Sequence, residues 1–563
     1  MDLFIKILFI VIFFAVTFYI GFYCRKKAAN SNDFVLGGRK VGPWLSAFAY
    51  GTSYFSAVIF IGYAGSFGLL FGVSALWIGL GNAFIGSLLA WKVLGKRTRQ
   101  VTQKMKSATM PDFFGKRFQS QGLKIAAALI VFIFLIPYTA ALYNGLGTLF
   151  SNCFSNAVPY WVWILIISIA TGAYVIVGGL MSTAINSFVQ GIIMLVGIVL
   201  VVVGVLMQNG GLTKSIGELS NKGWQFASIF GPDPVHLIFV VLLTSLGCWG
   251  LPQMVGKFYA INDGKQIQKG ALISTIFAVV VAGGCYFLGG FGQLFMAEGV
   301  NKGNVITKMV SSLNVVVVAI VIVLVLAASM STLAGLVHTS SATVTFDLID
   351  RKKNCSEKKK MTWLRVLVVI FIAISAGIAI LTSTDGVPAN LKKDIASLMG
   401  ISWGAISGAF LAPFLFGLYW KKTTKASVWA CFAFGVGISV LGLVLSLAGV
   451  NAKITTSLTI NAEKFTITWF DFADSIYMGV LGMVIGFAIV PIVSSFTKKP
   501  DHELVEDLFR AYEIDKEFAE EISTAYEDAD QYDKMEEKKS EEVTEETNAS
   551  EVANEEVELA EGK

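Results

Sequence analysis

The chain has 563 residues, is 55% hydrophobic and only 15% charged, and has a mean hydropathy of +0.67. A soluble domain is nearer a quarter charged, and no single soluble core hides so much apolar surface, so lipid must be the solvent for most of this chain. The net charge of +5 averages two unlike parts, because more than half of the 39 acidic residues lie from Asp501 onward; the basic balance of the remainder sits in short loops and does not point to nucleic acid as a partner.

Taken in chain order, thirteen stretches are long and apolar enough to cross a bilayer: 3–24, 44–71, 73–95, 123–150, 158–178, 183–207, 235–260, 271–297, 306–346, 363–384, 394–419, 425–447 and 472–496. The first has only Lys6 ahead of its apolar run, no small-residue cleavage site, and Arg25-Lys26-Lys27 directly after it. It therefore reads as a retained span with the N-terminus outside. Alternate loops agree. Arg39 and Lys40, then Lys96, Arg97 and Arg99, then Lys265 and Lys269, then Arg351, Lys352 and Lys353, then Lys421 and Lys422 mark the cytoplasmic side. The intervening loops carry few basic residues, such as Lys214 and Lys222. The 306–346 stretch is too long for one straight span and predicts a short outer helix within it. An odd number of spans places the acidic tail in the cytoplasm. That tail predicts one surface helix over 501–530 and solvated disorder beyond Tyr532. The six cysteines are scattered without metal spacing and read as small apolar fillers with no disulfide. The 55 glycines suit closely packed membrane helices.

Two of the spans contain helix breakers. The second holds Gly51-Thr52-Ser53-Tyr54-Phe55-Ser56 and the seventh holds Gly247-Cys248-Trp249-Gly250-Leu251-Pro252. Glycine and proline free backbone carbonyls, which are tolerated at membrane depth only inside protein or beside water, where they can hold an ion. Four spans separate the two, so they run in opposite directions, the pattern of two five-helix inverted repeats that each open with a broken helix. On the ninth span Ala328, Ser331 and Thr332 stand at i, i+3 and i+4 and share one helix face. Hydroxyl and carbonyl oxygens are hard, neutral ligands suited to an alkali cation, although membrane hydroxyls also bond their own i−4 carbonyls.

No Asp or Glu falls in the apolar part of a core span; Asp347 and Asp394 sit at span ends. Proton-coupled carriers use an intramembrane carboxylate or histidine, so the sequence favours sodium over protons. Of the residue types that carry protons in such carriers only His338 qualifies, either as a packed, hydrogen-bonded histidine or as part of the inner exit path. With three His in all, nothing in the chain resembles a catalytic nucleophile or metal cluster, and no enzyme activity is expected.

These residues carry a family resemblance. The segments NDFVLGGRKVGPW (32–44), TSYFSAVIFIGYAG (52–65), MPDFFGKRF (110–118), GGLMSTAINSFVQG (178–191), AASMSTL (327–333) and GAISGAFLAPFLFGLYWKK (404–422) resemble the sodium/solute symporter family, which includes sodium/proline, sodium/pantothenate and sodium/glucose carriers. The resemblance implies an all-α membrane protein with a LeuT-type five-plus-five inverted-repeat core and extra helices at both ends. It implies a sodium site built from main-chain oxygens of Thr52 and Phe55 with Ala328, Ser331 and Thr332. Ser187, Ala334 and Gly335 stand where relatives that bind a second sodium carry an aspartate and serines, which implies one sodium per cycle. Ile59 and Ile78 stand where sugar carriers have polar pocket residues, which argues against a sugar. The sodium/proline pattern GQPH is represented by Gly250-Leu251-Pro252-Gln253, its nearby tryptophan by Thr244, and Tyr138 matches a tyrosine of those carriers. The solute pocket is expected among Tyr54, Ser56, Tyr138 and Trp249, whose aromatic faces suit a small, partly apolar solute.

The expected organisation is an extra helix and basic loop over 1–43, repeats over 44–207 and 235–424 joined by an external loop 208–234, two extra helices over 425–497, and the tail 498–563. The expected function is sodium-coupled import, across the plasma membrane, of a small organic solute such as an amino acid, a monocarboxylate or pantothenate. Sodium is the coupling ion and no other cofactor is expected. The competing reading is a membrane solute sensor without net transport.

Overall fold

The computed structural model describes residues 2–25, 30–154, 158–261, 264, 266–296, 305–350, 355–383, 395–460 and 463–512. The elements that build the site are, in chain order, α1 (Asp2–Cys24), α2 (Ser31–Leu36), α3 (Pro43–Tyr54), α4 (Ala64–Phe71), α5 (Gln121–Cys153), α6 (Tyr160–Gln208), α7 (Pro234–Ser245), α8 (Pro252–Tyr259), α9 (Gln266–Gly290), α10 (Val315–Thr343) and α11 (Ile395–Tyr419). Helix starts follow local chemistry. Ser120 accepts from the Leu123 N–H, Thr424 from Ser427 and Asp474 from Ile476, each a side-chain cap placed just ahead of an apolar run. Pro43 opens α3 at a position whose N–H has no helical acceptor.

Burial separates a lipid-facing rim from a protein interior. Only 11% of the apolar window of α1 is buried, so Phe4, Val11 and Phe22 face outward, a surface stable only against acyl chains. In α11 the same share is 89%, and α10 is enclosed along most of its length. Close helix approach depends on glycine. A Cβ on Gly289 would lie 2.0 Å from the Ala64 carbonyl oxygen, and one on Gly68 would lie 2.2 Å from the Gly289 carbonyl carbon, so α4 and α9 meet backbone to backbone.

Among the described residues, ten helices are long and apolar enough to span a membrane, or eleven if the bent pair α7 and α8 counts as one span. That differs from the thirteen expected. Two of the ten, Val58–Lys104 and Tyr160–Gln208, have 47 and 49 residues, over twice the ~20 that a bilayer requires. Each contains a glycine outside helical geometry, Gly72 (φ 64, ψ −145) and Gly179 (φ 56, ψ −157), where hydropathy divides the stretch into two spans. The lower count treats the two helices on either side of each such glycine as one. The short helix expected within 306–346 is present as Val305–Ser311.

Both expected breaks are present. α3 ends at Tyr54 because Phe55 is extended (φ −108, ψ 125), and helical geometry resumes through a π-helical segment, Val58–Tyr63, that leads into α4. α7 gives way to the 3-10 turn Gly247–Gly250 and the extended Leu251 (φ −83, ψ 120), after which Pro252 opens α8 at an angle of 45°. One feature outside the sequence reading is an antiparallel hairpin, Lys453–Ile460 with Glu463–Asp471. Asp233 caps α7 through the His236 N–H and accepts the Thr468 N–H of the hairpin with its second oxygen at 3.0 Å.

In the tail, residues 502–512 are helical, inside the expected 501–530; the disorder expected beyond Tyr532 lies outside the described residues. None of the six cysteines is in a disulfide, and five of them are buried.

Candidate functional site: an oxygen cage at the helix break

The break in α3 leaves the carbonyls of Thr52, Ser53 and Phe55 without helical partners and turns them toward α10. There they meet the face that the i, i+3, i+4 spacing defines. The Thr332 hydroxyl lies 3.3 Å from Thr52 O, 3.4 Å from Ser53 O, 3.3 Å from Phe55 O and 3.1 Å from Ala328 O. The Ser331 hydroxyl lies 3.1 Å from Thr52 O and 2.9 Å from Ala328 O. Every contributor is buried.

Hydrogen counting shows what this cluster could hold. A hydroxyl has one proton, so Thr332 can donate to one of its four carbonyl neighbours at a time. Two protons serving four carbonyl oxygens leave acceptors facing one another, a costly arrangement in a buried site. A hard cation removes the conflict. Oxygens held at ~2.4 Å around a central ion with octahedral angles lie ~3.4 Å apart, close to the spacings seen here. The cage carries no formal charge, so it suits a monovalent ion. The structure thus brings together all five residues expected at the sodium site and adds the Ser53 carbonyl. The arrangement is held from behind, since Ser329 accepts the Ala57 N–H at 3.0 Å and the Tyr174 hydroxyl donates to Met330 O at 2.7 Å.

The expected solute residues divide. Tyr54 donates to Thr244 O and stacks edge-on against Trp403 with ring centroids 6.1 Å apart. Tyr138 meets the same Trp403 ring edge-on at 5.8 Å. The Ser56 hydroxyl and the Trp403 indole N–H face the Tyr138 hydroxyl. Yet Ser56 Oγ, Tyr138 Oη and Trp403 Nε1 are all buried without a hydrogen bond of good geometry. Three unspent polar atoms within an aromatic cluster, next to the helix break, are what a small solute with one or two polar ends requires. Trp249 stands apart: its indole donates to Ile85 O at 3.1 Å, which ties the seventh-span break to the helix carrying Ile85. Trp403 was missed by the sequence reading. The available signal was an indole in the middle of an apolar span, away from the interfacial level where Trp concentrates.

His338 combines both of its sequence readings. Its Nε2 lies 3.2 Å from Val35 O, its ring stacks on Phe34 at 5.3 Å, and it also borders a cavity between α8 and α10. Nearby, Lys124 bridges Asp112 at 2.8 Å and Asp347 at 3.1 Å. Burial works against the charged form of Asp112, but Lys124 and Lys116 beside it hold its carboxyl below the usual range.

Two broken helices, with a neutral oxygen cage at the first break, accompany a LeuT-type fold. The chain belongs to the sodium:solute symporter family, which it matches over residues 34–435. It is 28% identical over 501 residues to the osmoregulated proline transporter OpuE of Bacillus subtilis (strain 168), covering 87% of this chain and 94% of that one. It is 28% identical over 426 residues to the sodium/proline symporter of Escherichia coli (strain K12), covering 72% and 81%. A sodium-coupled sialic acid symporter, solved in a substrate-bound outward-open state, superposes with a TM-score of 0.69 at 16% identity, covering 88% of this chain and 98% of that one; at this identity the likeness concerns the fold. The protein is therefore a multi-pass, sodium-coupled membrane transporter.

Replacing Trp403 with Phe keeps the ring packing and removes the indole N–H. If that N–H binds the solute, the half-saturating solute concentration rises ~10-fold or more, from a buried hydrogen bond worth ~1.5 kcal/mol, while sodium binding without solute is unchanged. Equal losses in both would assign Trp403 to packing.

Proposed function

We propose that the protein imports a small, partly apolar amino acid, with proline the first candidate, together with one sodium ion per solute. The observation that carries sodium coupling is the Thr332 hydroxyl facing four carbonyls at 3.1–3.4 Å. The proline relatives and the Tyr54, Tyr138 and Trp403 rings around unspent polar atoms support the solute class. Sodium entering from outside ties the α3 break to α10 and so stabilises the solute-ready state. Both ligands leave inward when one helix bundle rocks against the other. The membrane potential adds ~2.3 kcal/mol per charge per 100 mV. The N-terminus lies outside and the tail in the cytoplasm, as the loop charges require.

The one-sodium ratio has physical support. By the family resemblance Gly335 stands where relatives with two sodium ions carry a ligand, and the Lys257 Nζ lies 3.9 Å from where a Cβ on Gly335 would be. A positive charge there repels a second cation.

Proteoliposome uptake of labelled proline is the test. Accumulation requires an inward sodium gradient, is not supported by a proton gradient in potassium buffer, and reverses at a potential set by one sodium per proline. Accumulation driven by protons would overturn sodium coupling. A ratio of two would overturn the stoichiometry, and binding without accumulation would favour a solute sensor.

A further inference from the structure

Lys257 is a cation without a counter-charge. It lies on α8, just inward of the second helix break, and no hydrogen bond or ion pair to its amino group exists among the described residues. It lines the cavity that His338 borders, which has a volume of about 50 Å³ and is also lined by Thr109, Gln253, Tyr259 and Thr343. Four polar atoms of these walls are buried with no partner: Gln253 Oε1, Tyr259 Oη, His338 Nδ1 and Thr343 Oγ1. The residues that carry them are 0–5% exposed. The hydroxyls can donate, and so can the imidazole nitrogen in the appropriate tautomer. Asp347 accepts from Thr109 at the cavity edge, but its carboxylate is already engaged by Lys124.

Gly335 lies one helical turn, ~4.5 Å, beyond Thr332 along α10. The Ser53 hydroxyl, also buried and unpartnered, sits 3.7 Å from the same missing Cβ that Lys257 approaches. The ammonium is therefore a near neighbour of the cage. Sodium in the cage and Lys257 beneath it place two positive charges close together inside apolar protein, where such repulsion is weakly screened.

We propose that the Lys257 cavity is a binding site for a small monovalent anion, which offsets the lysine charge and thereby strengthens sodium binding in the cage. A half-buried lysine with no carboxylate partner, facing unpartnered donors, favours a bound counter-ion. The cavity supplies donors around the ammonium and room for a group the size of one or two waters. Two sources fit that chemistry, a free halide or the carboxylate end of a solute on its inward path. The coupling is reciprocal: the anion tightens sodium and sodium tightens the anion. This inference rests on the sodium cage described above.

The test measures the sodium midpoint for thermal stabilisation of the purified, detergent-solubilised full chain. Sodium is titrated as the salt of a bulky sulfonate, 2-(N-morpholino)ethanesulfonate, against a background of the potassium salt of that sulfonate, potassium chloride or potassium acetate. In the wild type the midpoint falls at least threefold in chloride or in acetate relative to the sulfonate. A shift in chloride alone identifies a halide site; a larger shift in acetate identifies a carboxylate site. Lys257→Gln removes the anion dependence and Lys257→Arg retains it. Should Lys257→Gln fail to fold, Thr343→Val, which removes a donor from the opposite wall, is expected to weaken it. Sodium stabilisation that is the same in all three anions, or an anion effect that survives both Lys257→Gln and Thr343→Val, overturns the proposal. An absence of any sodium stabilisation would instead overturn the cage itself.

Discussion

Replacing Thr332 with valine is expected to weaken sodium binding roughly 10- to 150-fold. The substitution keeps the branched shape and removes the single oxygen that faces four carbonyls at 3.1–3.4 Å. An oxygen that interacts with a charge in a buried site is typically worth ~1.5–3 kcal/mol, and each ~1.4 kcal/mol is tenfold. Because sodium and solute binding are linked, solute affinity falls at fixed sodium and is largely restored when sodium is raised. Thr332→Ser keeps the oxygen and is expected to be mild. The measurement is solute binding across a sodium titration. If Thr332→Val weakened solute binding equally at every sodium concentration, the hydroxyl would belong to the solute pocket or to packing, and the ion assignment would fail.

Replacing Gly289 with valine is expected to abolish both folded protein and uptake. A Cβ at this position would sit 2.0 Å from the Ala64 carbonyl oxygen and 2.8 Å from its carbon, so the clash is with backbone that has no rotamer to escape through. Ordinary overpacking costs ~1–3 kcal/mol, and relief here requires separating α4 from α9 along their whole contact. That separation also displaces the segment which carries the Phe55 break. Gly437→Ala is the control, since its Cβ would meet nothing within 4 Å. Yield of the monodisperse peak on size exclusion reads the result. A Gly289→Val protein that elutes normally and transports would show that the two helices pack more loosely than described.

Much of the architecture is legible along the chain because its causes are local. Hydropathy locates the spans, and Pro252 and the glycines around it locate the second break, since a missing N–H and a missing Cβ act on the residues beside them. The i, i+3, i+4 spacing of Ala328, Ser331 and Thr332 aims their oxygens in one direction before any partner is known. The count of spans was less legible. Gly72 and Gly179 each break helical geometry where hydropathy divides a long stretch in two, and whether the halves count as one helix or two depends on how directly the helix resumes after the glycine. The hairpin over Lys453–Asp471 had a signal that went unused, the Thr- and Ile-rich alternation of KITTSLTI.

Composition and period by themselves determined that the chain is a many-helix membrane protein with two broken spans and a neutral hydroxyl face. Only the tertiary structure decided what those pieces meet. Trp403 joins Tyr54 and Tyr138 although hundreds of residues separate them, and Lys257 reaches the glycine one turn below Thr332. Such contacts depend on how each helix is rotated and where it crosses its neighbours. Those quantities are set by the packing of distant glycines against one another, as Gly68 packs on Gly289, and a sequence period records the face of a helix but not the surface it will touch.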